Sequence, residues 1–186
     1  MTNLYINFDN TVVESNKRIL ELLKDEKDFI DLNDYIYKKY KLEMKEQILD
    51  IISSDEFFND LIFKDGFLDF FNKNKYNYNF IFYTIGNQEK INKTQEWIEK
   101  NISKDLKCID FNYKNKINMK NSVQINDSVM NFNTNAKIKI LYKDYNNFKK
   151  QKNLINNSIL AVNKWSEIDE ILSFFNKYDY KTLKNK

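Results

Sequence analysis

The chain of 186 residues has no histidine, no proline, one cysteine, two glycines and a single arginine, Arg18. Without histidine it lacks the commonest general base and the commonest zinc ligand, so any chemistry falls to carboxylates, lysine, tyrosine or a hard cation held by oxygen. One cysteine, Cys108, excludes an intrachain disulfide and reads as a strand filler. No apolar run approaches the ~20 residues that cross a bilayer, and the N-terminus is not leader-like, so the expectation is a soluble, cytoplasmic protein. The scarcity of glycine, proline and arginine beside abundant Asn, Lys and Ile has the character of an AT-rich coding bias, in which an Asp-to-Asn change is easily acquired.

What is present is ordinary for a folded domain. Apolar residues make 42% of the chain and aromatics 16%, enough to bury a core and leave room for a small insertion. Thirty basic against 27 acidic residues give +3, dispersed along the chain, so neither polymeric nucleic acid nor a membrane is an expected partner.

Strand-length apolar runs alternate with helix-periodic stretches, which predicts βα units around a parallel sheet. The strands are expected at Leu4–Phe8, Tyr78–Thr84, Lys107–Asn112, Ser122–Asn126, Lys137–Tyr142 and Ser158–Val162. Ile91, Thr94 and Ile98 recur at helical spacing behind Asn87, a candidate N-cap, and Ile168, Ile171, Leu172 and Phe175 mark a closing helix with Ser166 and Asp169 as its capping box. Residues 15–75 are too long for one crossover and carry four amphipathic stretches, around Ile19–Leu23, Leu32–Tyr40, Met44–Ile52 and Phe67–Phe71. The expected organisation is an α/β core over 1–14 and 76–186, a Rossmann-like parallel sheet, with 15–75 inserted after strand one as a small helical cap.

Asn7-Phe8-Asp9-Asn10-Thr11 closes the first apolar run. It resembles the Asp-x-Asp-x-Thr first motif of the haloacid dehalogenase phosphatase superfamily, with asparagine where the nucleophilic aspartate belongs. Further landmarks follow in order: Phe82-Tyr83-Thr84-Ile85-Gly86 after strand two, Lys116 ahead of strand four, and Asn126-Asp127-Ser128-Val129-Met130-Asn131 at its end. With Glu56–Leu61, Asp65–Leu68, Asn147 and Trp165–Ile168, they are similar to the cytosolic 5'(3')-deoxyribonucleotidase family over nearly the whole chain.

The resemblance implies a role for each position. Asn7 stands in the nucleophile's place and Asp9 in that of the acid/base, which also lends its backbone carbonyl to Mg²⁺. Thr84, Lys116 and Gly86 would hold the phosphate. Asn126 takes the place of a metal carboxylate, and Asp127 that of its neighbour in the metal shell. Asn10 departs as well, since that branch usually carries glycine there. Taken singly, Thr84 reads as a strand-end threonine and Lys116 as a solvated charge; the order makes the set specific.

The departures fall on the chemistry. A carboxamide is a poor nucleophile, and exchanging two carboxylates for amides removes two negative charges from a Mg²⁺ shell. The expectation is a nucleotidase-like protein that binds a nucleotide or other phosphate monoester and is impaired in, or devoid of, Mg²⁺-dependent hydrolysis. Two alternatives stand beside it: an active deoxyribonucleotidase, and a non-catalytic module recruiting a protein partner at the aromatic cap of Tyr35, Tyr37, Tyr40, Phe57 and Phe58. Those aromatics are more simply accounted for by packing.

Overall fold

The computed structural model describes residues 1–23, 42–111, 117–143 and 158–182. Six strands form one parallel sheet: β1 (Thr2–Asn7), β2 (Tyr78–Thr84), β3 (Lys107–Asp110), β4 (Val123–Asn126), β5 (Ile138–Tyr142) and β6 (Ile159–Val162), in the order β3-β2-β1-β4-β5-β6. All six expected strands are present, with ends moved by a residue or two. Between β1 and β2 lie α1 (Ser15–Leu23), α2 (Leu42–Ile52), α3 (Asp55–Asn59) and α4 (Phe67–Asn74); α5 (Gln88–Asn101) joins β2 to β3, and α6 (Trp165–Thr182) closes the chain. The helix expected around Leu32–Tyr40 lies outside the described residues.

Burial on both faces explains why the central strands read as continuous apolar runs. Alternate residues feed two cores. Leu4 and Ile6 of β1, paired with Phe80 and Phe82 of β2, join Phe8, Phe67, Trp97, Ile98 and Trp165 in the larger cluster. Tyr5 and Tyr83 face the other way, with Phe111, Met119 and Ala136. Asn7 pairs with Tyr83, so the polar end of β1 continues the Tyr5 row.

The helices of the inserted segment are built into the larger cluster. In α4 the buried set Phe67, Phe70, Phe71 and Asn74 follows i, i+3, i+4, i+7, the stripe of a helix lying on a sheet. Phe70 and Phe71 meet Phe80 with ring centroids 6.0 and 5.1 Å apart, and Phe67 meets Trp165 at 5.1 Å. Gly66 caps this helix at φ 77°, a left-handed backbone that suits glycine. Phe57 and Phe58 are buried in the same core and offer no docking face.

One expected cap is corrected. Ser166 and Asp169 do not form a capping box, because α6 already begins at Trp165 and Asp169 is drawn across to α4. There it accepts from Lys73 Nζ at 2.5 Å and from Asn74 Nδ2 at 2.9 Å. At the helix entry it is Glu167 that accepts the Asn163 N–H, at 2.7 Å.

Candidate functional site

The chain runs from β1 outward through β2 to β3 and then returns to the opposite side of β1 with β4. That reversal opens the sheet at the carboxyl ends of β1 and β4, the place where open α/β sheets take ligands. Asn7, Thr84 and Asn126 are the last residues of β1, β2 and β4, and all stand on this rim.

The loop after β1 is pinned by its own backbone: Phe8 N–H donates to Tyr83 O, and Val12 and Val13 N–H donate back to Phe8 O. Asn10 turns the loop with φ 56°. This is a conformation that asparagine tolerates better than other non-glycine residues. Its side chain also accepts the Asn16 N–H at 2.8 Å, fastening the loop to the start of α1.

Asn7 and Asp127 meet directly, although 120 positions apart in sequence. Asn7 Nδ2 donates to Asp127 Oδ1 at 2.9 Å and to the backbone carbonyl of Asp9 at 2.7 Å. A backbone carbonyl accepts only, so the NH₂ end of the amide must face it. Asn7 and Asp127 are both buried.

The Asp9 carboxylate turns to a different set of donors. Ser15 Oγ reaches Oδ1 at 2.8 Å, while Thr84 Oγ1 and Lys90 Nζ reach Oδ2 at 2.7 and 2.6 Å. Burial pushes this carboxyl up, but the Lys90 charge and the hydrogen bonds from Lys90, Thr84 and Ser15 outweigh it and hold Asp9 below its ordinary value. A general acid that protonates a leaving alkoxide needs the opposite displacement. The single hydroxyl proton of Thr84 is given to Asp9, so the phosphate-holding role assigned to Thr84 has a competitor within the protein.

Lys90 is the residue that motif reading missed. Its side chain is 5% exposed, and its ammonium is held by Asp9 and, at 3.4 Å, by Ile85 O. A signal for it existed. Lys90 sits in the first turn of α5, where a cation opposes the helix dipole, on the stripe that continues through Ile91, Thr94, Trp97 and Ile98. Such a lysine calls for a buried anion. Asn87 caps the same turn as expected, accepting the Lys90 N–H at 2.9 Å.

Gly86 serves this lysine. A Cβ at position 86 would come within 2.7 Å of Lys90 Cδ, so the missing side chain is what lets the lysine stem fold back over the loop towards Asp9. Space for Lys90 is the role that the geometry gives Gly86.

Asn126 belongs to a separate network on the Tyr83 face of the sheet. It is fully buried, donates to the Tyr83 hydroxyl at 2.7 Å and accepts the Ser128 N–H at 3.0 Å. Gln124 Nε2 donates to the same hydroxyl at 2.9 Å, and Tyr83 donates onward to Ile125 O at 3.3 Å. Lys116 lies outside the described residues. Cys108, on β3, is no substitute nucleophile: burial, reinforced by the Asp9 charge, pushes its thiol up to about 12.

Comparison with known structures agrees with this architecture. A haloacid dehalogenase-like family hydrolase from Streptococcus pneumoniae superposes with a TM-score of 0.63 at 13% identity, covering 94% of this chain and 98% of that one. The fold is of the haloacid dehalogenase type. No family model matches the sequence, and no curated protein matches it.

Proteins of the haloacid dehalogenase type generally use Mg²⁺, and the residues here do not fit it. Mg²⁺ takes anionic and carbonyl oxygen in a tight octahedron. Between the Asp9 carbonyl and the Asp127 carboxylate stands an N–H donor instead, and the Asp9 carboxylate is bound to Ser15, Thr84 and Lys90. Among the described residues no three His, Cys, Asp or Glu side chains gather in a way that could hold a metal. Nor is any described helix long and apolar enough to cross a membrane.

Proposed function

We propose that this chain is a haloacid dehalogenase-type protein that binds a phosphate monoester, with a nucleotide as the favoured case, and does not carry out Mg²⁺-dependent hydrolysis of it. The observation that carries this is the internal partnering of the rim: the nucleophile's position holds an amide bonded to Asp127, and the acid/base position holds a carboxylate bonded to Lys90. Nucleophilic attack needs an anionic oxygen, and leaving-group protonation needs an available proton; Asn7 supplies neither and Asp9 is held ionised. Ligand binding draws its support from the placement of the rim at the point where strand order reverses. The helices between β1 and β2 would then act as the cap that sets selectivity for base and sugar.

Two measurements on one preparation test this. Calorimetric titration with deoxynucleoside monophosphates is expected to give saturable binding, while phosphate release from the same compounds, with Mg²⁺ present, stays at the buffer background. Turnover near the ~10 s⁻¹ typical of enzymes, abolished by Asp9→Asn, overturns the absence of hydrolysis and promotes an active nucleotidase. Absence of binding across phosphate esters removes the ligand and leaves a protein-interaction role.

A further inference from the structure

We propose that the Asn7 side-chain amide occupies the place of a divalent cation at the rim, so that the site is held together without metal and excludes one. Two oxygen atoms converge there, the Asp9 carbonyl and Asp127 Oδ1, from segments far apart in the chain. Left to themselves, a carbonyl dipole and a carboxylate aimed at one point repel and call for positive charge. A hard cation is one answer; a polarised NH₂ group is another, and Asn7 Nδ2 lies 2.7 and 2.9 Å from the two oxygens with one N–H for each. The bridge is buried, where unmet acceptors are most costly. The geometry therefore assigns Asn7 a positive part in the fold, beyond the loss of a nucleophile.

The sign of a familiar substitution follows. Asn7→Asp removes the donor and sets a second carboxylate against Asp127 at hydrogen-bond distance, a like-charge contact that a bound cation, or a proton taken up by one carboxyl, relieves. Asn7→Ala removes the donor without adding charge, leaving the two oxygens unbridged and the space open to a weakly held cation. These effects are independent of whether the pocket takes a phosphate ester, because they concern the ligand-free protein.

Thermal unfolding in phosphate-free buffer, with EDTA or with millimolar Mg²⁺, is the test. The wild-type melting temperature should be the same in both. Asn7→Asp should melt roughly 5 °C or more below wild type in EDTA and recover most of that loss in Mg²⁺. The double variant Asn7→Asp with Asp127→Asn, which restores a donor between positions 7 and 127 but none for the Asp9 carbonyl, should recover part of the stability in EDTA and respond less to Mg²⁺ than Asn7→Asp alone. An Asn7→Asp protein as stable as wild type in EDTA overturns the proposal, as does a wild-type protein that Mg²⁺ stabilises equally. If Asn7→Asp folds in neither buffer, Asn7→Ala decides: a melting temperature raised by Mg²⁺ supports the amide as cation substitute, and an unresponsive one overturns it.

Discussion

At the scale of single residues, the Asp9–Lys90 pair dominates the rim. Removing one member of a buried ion pair leaves the other uncompensated, which costs more than the pair itself contributes. Asp9 keeps 20% of its side chain exposed, so Lys90→Met should destabilise by about 2–3 kcal/mol, below the ~3–5 kcal/mol of a fully buried pair. Chemical denaturation reads this, and Asp9→Asn combined with Lys90→Met should recover much of the loss; a double-variant loss equal to the sum of the two single losses would mean the pair is not coupled. Acid adds a second check. The folded carboxyl of Asp9 lies below its unfolded value, so its contribution is complete above about pH 4 and disappears as pH falls through the lowered folded value. Asp169, also lowered, titrates in the same window: burial raises it, but Lys73 and Asn74 outweigh that. The wild type should therefore lose stability steeply below about pH 4, and Asp9→Asn should lose it less steeply from a lower starting point. An unchanged acid slope in that variant would deny Asp9 its part.

At the scale of elements, the sheet and α5 are legible in sequence because their determinants are local. Runs such as Leu4-Tyr5-Ile6 and Tyr78–Thr84 declare strands buried on both faces, and Asn87 with Ile91, Thr94 and Ile98 declares a capped helix. What is not local was misread. Asp169 sits at the correct spacing to cap α6, yet it serves α4 from 95 and 96 residues away, a contact that no periodicity encodes. Lys90 and Asp9 are 81 positions apart, so helix periodicity marked the lysine's face of α5 while saying nothing about its partner. The clamp between α4 and α6 can be tested by Asp169→Ala. Lys73 is 67% exposed and contributes little, so the loss of about 1 kcal/mol should come mainly from the Asn74 hydrogen bond. A matching loss in Asn74→Ala and additivity failing in the pair would identify that bond as the source.

At the scale of the whole molecule, the reversal of strand order around β1 and β4 gathers Asn7, Asp9, Thr84 and Asp127 without any one of them being near another in sequence beyond the first pair. The ordered motifs therefore anticipated the gathering, while the partners within it, Ser15 and Lys90 for Asp9 and Tyr83 for Asn126, had to be seen in three dimensions. The chain's composition then gives one feature a meaning of its own. The chain has two glycines, and both stand where a side chain is hard to admit: Gly66 at φ 77° and Gly86 against the Lys90 stem. Positions 86 and 90 are thus sterically coupled. Gly86→Ala alone should cost about 1–2 kcal/mol by displacing the lysine, and in a Lys90→Met background, whose stem can yield, it should cost less. A side chain at position 86 requires a shorter or redirected residue four places on, so a relative that carries one there should also have changed position 90.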